Sequence, residues 1–140
     1  MTLGDFICRY YGKKIDFDGQ FGAQCVDLIR QYFRDVWDMS IQPEGVIGAQ
    51  EFYLNHEQRP IQKVYTERVE YKKGQNIPSG AVVVFGNAGT NKFGHIGICI
   101  RAESDIIYLL EQDGFRQDGV KISAWGYNNV LGYLVKKGSV

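Results

Sequence analysis

The sequence predicts an α+β domain in which N-terminal helices pack on a C-terminal antiparallel sheet. Two segments with helical spacing of apolar residues lie within the first 37 residues, and short β-branched or aromatic runs follow Pro78. Helices that precede strands along the chain are typical of this class. The 140 residues, of which 44% are hydrophobic, can bury one core of ordinary size. We therefore expect a single domain over residues 1–140.

A short first helix is predicted close to the start of the chain. Thr2 and Asp5 have the spacing of a capping box, in which each side chain binds the backbone of the other residue. Apolar residues then recur at helical spacing: Leu3, Phe6, Ile7, Tyr10 and Tyr11. Gly12 interrupts this spacing and ends the predicted helix.

The second predicted helix begins at Cys25 and ends near Trp37. Its apolar residues form one stripe, which would pack on the sheet. They are Val26, Ile29, Phe33 and Val36, flanked by Leu28 and Tyr32.

The rest of the chain predicts short elements and then a sheet. Between Gln42 and Gln75 the pattern is mixed, with a short helix in "IGAQEFYLNH" and a strand in "KVYTERVEY". After Pro78 the runs "AVVVF", "HIGICI", "IIYLLEQ" and "VLGYLVK" are separated by Gly, Asn and Asp. Such runs predict four strands of a meandering antiparallel sheet.

The charge balance excludes some classes of partner. Lys plus Arg and Asp plus Glu number 16 each, so no net positive field exists to bind nucleic acid or an anionic membrane surface. The first residues lack the basic start and apolar run of a signal peptide, and no run approaches the roughly 20 apolar residues that span a bilayer. We expect a soluble protein made without a signal peptide.

Cys25 lies where a glycine-rich polar loop gives way to the second helix. A helix N-terminus lowers the pKa of a thiol, because its unpaired N–H groups favour negative charge. Cys25 is therefore a candidate nucleophile, and a buried packing residue is the alternative interpretation. Three cysteines in unrelated settings do not predict a disulfide framework, and Cys8 and Cys99 are interpreted as packing residues because no zinc-site spacing accompanies them.

A nucleophilic thiol needs a general base, and the chain has two histidines. His56 lies in the polar stretch "LNHEQ", which predicts a solvated surface residue. His95 begins a predicted strand whose period of two places it on the face opposite the isoleucines. Glu111 and Asp113, at the end of the next strand, are candidates to orient its imidazole, and a solvated turn is the alternative.

The loop before Cys25 has the oxygen-ligand spacing of a calcium-binding helix-loop-helix. Positions 1, 3, 5, 7 and 12 of a twelve-residue window are Asp16, Asp18, Gln20, Gly22 and Asp27. The window is not an ordinary EF-hand, because position 6 is phenylalanine and position 12 is aspartate where glutamate is expected. The alternative interpretation is an Asx-rich turn, since "DFDG" is a good turn by itself.

The segments "DFDGQFGAQCVDL", "GHIGI" and "LLEQD" resemble the CHAP family of cysteine- and histidine-dependent amidohydrolases and peptidases, and in particular the CHAP domains of phage lysins. The resemblance implies a papain-like α+β fold with Cys25 as nucleophile, His95 as base and Glu111 as the residue that orients the imidazole. The position of Asp113 is commonly asparagine in the lysin subgroup, which leaves open whether Asp113 joins Glu111 in this role.

The resemblance also implies a calcium site in the loop before the cysteine. By position, the ligands would be the side chains of Asp16, Asp18 and Asp27 with the carbonyls of Gln20 and Gly22. The oxyanion hole would be the Cys25 amide, alone or with the Gln24 side chain.

The implied function is hydrolysis of an amide bond in bacterial peptidoglycan, by an enzyme made in the bacterial cytoplasm that acts on the cell wall as a phage lysin or virion-associated enzyme. An amidase and an endopeptidase share this machinery, so the bond remains open. The alternatives are a papain-like protease acting on proteins and a catalytically inactive calcium-dependent binding module. We expect either that the domain belongs to a longer parent chain with a wall-binding module or that it reaches the cell wall without one.

Overall fold

The computed structural model describes residues 1–87 and 91–138 and confirms the α+β class. Its helices are α1 (Leu3–Tyr10), α2 (Cys25–Asp35), α3 (Glu51–Leu54) and α4 (Pro60–Tyr65), with one 3-10 turn at His56–Gln58. Its strands are β1 (Thr66–Glu70), β2 (Val82–Phe85), β3 (His95–Ala102), β4 (Ile107–Glu111), β5 (Lys121–Trp125) and β6 (Val130–Lys136). Within these ranges, no helix is long and apolar enough to cross a membrane.

The first two helices begin where the sequence predicts. Thr2 and Asp5 form the capping box, with the Asp5 N–H donating to Thr2 Oγ1 at 3.1 Å and the Thr2 N–H donating to Asp5 Oδ2 at 3.2 Å. The helix α2 starts at Cys25, and the chain leaves it shortly before the buried ring of Trp37, which stacks on Phe33.

The six strands form one antiparallel sheet in the order β1-β6-β2-β3-β4-β5. The prediction of a simple meander is wrong, because β6 does not pair with the preceding strand, β5, which lies at one edge of the sheet. Instead, β6 lies between β1 and β2. The segment Lys121–Trp125 also forms a strand that the sequence did not predict, since it has no continuous apolar run and only alternates between half-buried and exposed residues. The predicted strand in "KVYTERVEY" begins later than expected, because its first three residues end α4.

The main core lies between the helices and one face of the sheet. The apolar stripe of α2 packs there against alternate residues of the central strands, as the periodicity predicts. The buried members from α2 are Leu28, Ile29, Tyr32 and Phe33, and those from the sheet are Val82, Val84, Ile96, Ile98, Leu110 and Leu134. This packing fixes the start of α2 relative to the start of β3, and these two ends carry Cys25 and His95.

Two sequence interpretations are wrong. His56, predicted to be solvated, is only 5% exposed, because the 3-10 turn after α3 brings its ring against β1, where Nε2 lies 3.0 Å from Thr66 Oγ1. Cys8, predicted to pack in the core, is exposed because it lies on the outer side of α1, whose buried residue is Phe6. Cys99 is buried, as predicted.

Candidate active site

A cleft of about 550 Å³ opens where the N-terminus of α2 meets the start of β3 and the end of β4. Its lining brings together all five residues that the sequence predicts for catalysis. These are Gln24 and Cys25 from the start of α2, His95 from β3, and Glu111 and Asp113 from the end of β4. Residues separated by up to 89 positions in sequence therefore share one cleft.

The local sequence explains why α2 begins at Cys25. Gln24 has an extended backbone and is the N-cap. The carboxylate of Asp27 accepts a hydrogen bond from the Gln24 N–H at 2.9 Å, and the Asp27 N–H donates to the Gln24 carbonyl at 3.1 Å. Cys25 is half-buried at the first turn, where helix N–H groups lack helical partners. The thiol therefore lies beside unpaired backbone donors and remains accessible from the cleft.

The imidazole of His95 is held between aromatic rings. It stacks on Trp125 with ring centroids 5.1 Å apart and lies beside Phe85 at 6.1 Å. Gly94 precedes it in the left-handed region, at φ 76°, and any Cβ there would collide with the Phe85 carbonyl oxygen. The sharp turn at Gly94 thus lets the chain enter β3 with the ring directed into the cleft.

Glu111 is the carboxylate next to this imidazole. Its side chain is 4% exposed, and Oε2 lies 3.4 Å from His95 Nε2. The same oxygen accepts a hydrogen bond from the indole N–H of Trp125. Burial lowers the pKa of His95, but hydrogen bonds and charge interactions with Cys25 and Glu111 outweigh it and raise that pKa to about 10. Because Nε2 faces Glu111, Nδ1 is the ring nitrogen left to face the thiol.

Asp113 lies in the cleft wall but is directed to a different set of partners. Its Oδ1 accepts hydrogen bonds from the N–H groups of Phe115 and Arg116, and its Oδ2 lies 3.7 Å from Arg116 Nε. Within residues 1–87 and 91–138, no hydrogen bond or ion pair joins Asp113 to His95. The structure therefore brings Glu111, and not Asp113, to the imidazole. Gln24 is exposed at the edge of the cleft, next to the thiol.

The acidic loop, residues 16–24, and the first turn of α2 bring the three predicted aspartate ligands together. One carboxylate oxygen from each of Asp16, Asp18 and Asp27 lies within 4.8 Å of the others. Burial, with the nearby charges of Asp18 and Asp16, raises the pKa of Asp27 to about 6. Among the described residues, no hydrogen bond to the Gln20 or Gly22 carbonyl is formed, so both oxygens are free to coordinate. This donor set of hard oxygens fits a calcium ion.

Sequence reasoning missed two residues that contact the candidate catalytic residues or their backbone. Trp125 stacks on His95 and donates to Glu111, but it ends a strand that was not predicted. Gln112 is fully buried and binds backbone on both sides of the acidic loop. The one available signal was its position between two candidate carboxylates in "LLEQD".

The chain is similar to proteins of one known family. The CHAP domain family model matches residues 14–113, a segment that contains the acidic loop, Cys25, His95 and Glu111. No curated protein sequence matches the chain significantly.

Three solved structures share the fold at low sequence identity. The crystal structure of a wild type endolysin LysIME-EF1 has a TM-score of 0.67 and 16% identity, over 96% of this chain and 64% of that chain. The crystal structure of Ly7917 has a TM-score of 0.68 and 15% identity, over 94% and 60%. The structure of Ly7917 with the hydrolyzing product of MDP has a TM-score of 0.69 and 16% identity, over 96% and 61%.

This chain therefore spans less than two thirds of the length of each of these solved chains. The family model, in contrast, covers well over half of the chain, from two residues before Asp16 to Asp113, just after β4. The chain belongs to the CHAP domain family.

Proposed function

We propose that this domain is a peptidoglycan hydrolase that cleaves an amide bond of the bacterial cell wall with a cysteine nucleophile and a histidine base. The observation that carries the proposal is the convergence of Cys25, His95 and Glu111 in one open cleft, with the thiol at a helix N-terminus. Membership of the CHAP family supports it. Two of the similar structures are an endolysin and a protein crystallised with a hydrolysis product, which supports the choice of substrate.

In the proposed reaction, Cys25 and His95 react as a thiolate–imidazolium pair, because the raised pKa keeps His95 protonated at neutral pH, and the sulfur attacks the carbonyl carbon of the scissile amide. The backbone N–H of Cys25, with the exposed Gln24 side chain beside it, donates to the oxyanion that forms. His95 then protonates the leaving amine, and the amine departs to leave a thioester on Cys25. Water, deprotonated by His95, hydrolyses the thioester and restores the thiol.

Glu111 stabilises the imidazolium in this scheme. Its buried carboxylate lies 3.4 Å from His95 Nε2, on the ring edge opposite the nitrogen that exchanges the proton. The indole N–H of Trp125 holds that carboxylate in place. Asp113 has a different part, because it caps the turn that forms one wall of the cleft.

The acidic loop is proposed to bind calcium through the side chains of Asp16, Asp18 and Asp27 and the carbonyls of Gln20 and Gly22. A bound cation would supply the positive charge that three adjacent carboxylates need. The loop ends at Gln24, the N-cap of α2, so its conformation sets where Cys25 begins the helix. The loop residues act by positioning the helix start.

The chain offers a matched control for the nucleophile. Cys25→Ala should abolish the loss of turbidity of purified cell walls, whereas Cys8→Ala, at an exposed cysteine on α1, should leave it unchanged. His95→Ala should also abolish lysis. Wild-type activity on casein without activity on walls would favour a papain-like protease, and no activity on either would favour a binding module.

Mass spectrometry of the digested walls would identify the bond. A free stem-peptide amine beside an intact sugar indicates an amidase, and a cut within the stem or bridge indicates an endopeptidase. We further propose that the enzyme acts on the wall as a phage lysin or virion-associated enzyme. A wall-binding module on a longer parent chain is consistent with the shorter span of this chain relative to the similar structures.

A further inference from the structure

Gln112 has a fully buried side-chain amide whose polar atoms all bind backbone far away in sequence. Its Oε1 accepts a hydrogen bond from the Ile15 N–H at 2.8 Å. Its Nε2 donates to the Ile15 carbonyl at 2.7 Å and to the Gln24 carbonyl at 2.8 Å. One side chain therefore holds the residue before Asp16 and the residue before Cys25.

The neighbour of Gln112 in the chain contacts the proposed base. Glu111 lies against the imidazole of His95, and Gln112 lies against the N-cap of the helix that carries Cys25. Two consecutive residues at the end of β4 thus hold the two halves of the catalytic pair. A shift of either contact would change the distance between the thiol and the imidazole.

We propose that Gln112 is a positioning residue that sets the thiol of Cys25 relative to His95 by fixing both ends of the acidic loop. The inference rests on the proposed function in one respect, because its kcat measurement requires that the protein hydrolyses wall fragments. The amide is required because the site needs one acceptor and two donors, which a carboxylate or an aliphatic side chain does not supply.

Gln117 reinforces this arrangement from the following turn. Its Oε1 accepts from the Ala23 N–H at 3.0 Å, and its Nε2 donates to the Ala23 carbonyl at 3.0 Å and to the Gly114 carbonyl at 2.7 Å. A Cβ at Gly22 would lie 2.7 Å from Gln117 Oε1, so a glycine is needed where the loop meets this side chain. The backbone from Gly22 to Gln24 is therefore held by two glutamines.

The test compares Gln112→Leu with Gln62→Leu. Gln62 is also fully buried and its amide also donates to a backbone carbonyl, that of Phe52, at 2.7 Å, but it lies outside the cleft. Both variants lose a buried amide that binds backbone, and both should lose stability. Only the first should change the catalytic geometry.

The measurements are kcat and KM for solubilised wall fragments and the pH profile of Cys25 alkylation by iodoacetamide, all at a temperature where both variants are folded. We expect Gln112→Leu to lower kcat by roughly 10- to 100-fold with a smaller change in KM, as expected for a displaced reacting group, and to change the alkylation profile. Gln62→Leu should leave kcat and the profile unchanged.

Equal kcat and equal alkylation profiles for the two variants would overturn the proposal. If Gln112→Leu does not fold, Gln112→Asn, whose shorter side chain cannot bind Ile15 and Gln24 together, replaces it, with Gln62→Asn as its control and with the same expectations and the same overturning result. If the wild type does not hydrolyse walls, the proposed function fails, but the alkylation profiles still decide whether these glutamines position the thiol.

Discussion

Asp18→Asn should make the protein more stable without calcium and less stable with it. The substitution removes one of three negative charges from the acidic loop and keeps a side-chain oxygen that can accept the hydrogen bond from the Gln20 N–H. A destabilising substitution at an ordinary turn would lower stability in both conditions. The change of sign is therefore specific to a cation site.

The magnitude follows from the distances between the carboxylates. Oxygens of Asp16, Asp18 and Asp27 lie within 4.8 Å of one another, and two unit charges at that distance repel by about 0.9 kcal/mol even with the dielectric constant of water. Asp18 takes part in two such pairs, so its removal relieves about 2 kcal/mol. Attraction between Asp18 and Arg30 offsets part of this relief. For a chain of this size we expect Tm in chelator to rise by roughly 2–6 °C.

Calcium should reverse the order. A ligand at 100 times its Kd stabilises the folded state by about 2.7 kcal/mol, which corresponds to roughly 8–10 °C in Tm for the wild type. The variant lacks one of the three carboxylates and should gain little. The assay is thermal unfolding in chelator and then in excess calcium, with Asp118→Asn as the control, because that exposed aspartate binds Lys121 outside the loop. If Asp18→Asn lowers Tm by the same amount in both conditions, the loop is an Asx-rich turn and not a cation site.

Three further outcomes are expected. Glu111→Gln should reduce wall lysis by a larger factor than Asp113→Asn, because only Glu111 contacts the imidazole, and the reverse order of kcat values would assign the orienting role to Asp113. The pKa of His95 is raised to about 10, so its charged form stabilises the folded state. This stabilisation is fully present below about pH 6.5 and is lost as the pH rises through about 10. Urea unfolding as a function of pH should show that Glu111→Gln loses this stabilisation at a lower pH than the wild type. Phe52→Ala should lower the free energy of unfolding in urea by about 3–5 kcal/mol, because the buried ring lies between two arginines. Leu54→Ala, at an exposed neighbour, should lower it by less than about 0.5 kcal/mol. Similar costs for both variants would contradict the packing argument.

The helices and central strands were predictable because their signals are local. The capping box at Thr2 and the apolar stripe of α2 each lie within a few turns of one helix, and the structure forms both. The order of the strands was not predictable in the same way, because β6 pairs with β1 and β2 through contacts between residues that lie 45 to 70 positions apart in sequence. Nothing in the local pattern of β6 selects β2 over β5 as its neighbour.

The candidate site shows the same division between local and distant signals. Cys25 and the acidic loop were found from spacing, since both depend on residues adjacent in the chain. Trp125 was missed because its contact with the imidazole depends on the position of β5, which adds to the edge of the sheet beside β4. An alternating strand of five residues with no buried face gives too weak a pattern to reveal this.

The end of β4 explains why the period of two failed between Glu111 and Asp113. Alternation predicts that both carboxylates project on one face, but the strand ends at Glu111 and the chain turns through Gly114. The turn directs the carboxylate of Asp113 to the N–H groups that follow it, and leaves Glu111 at the imidazole. Because the strand ends there, Gln112 leaves the sheet register and binds the acidic loop instead of a neighbouring strand. One strand end thus separates three consecutive polar residues into three different sets of contacts, which a sequence pattern with a fixed period does not distinguish.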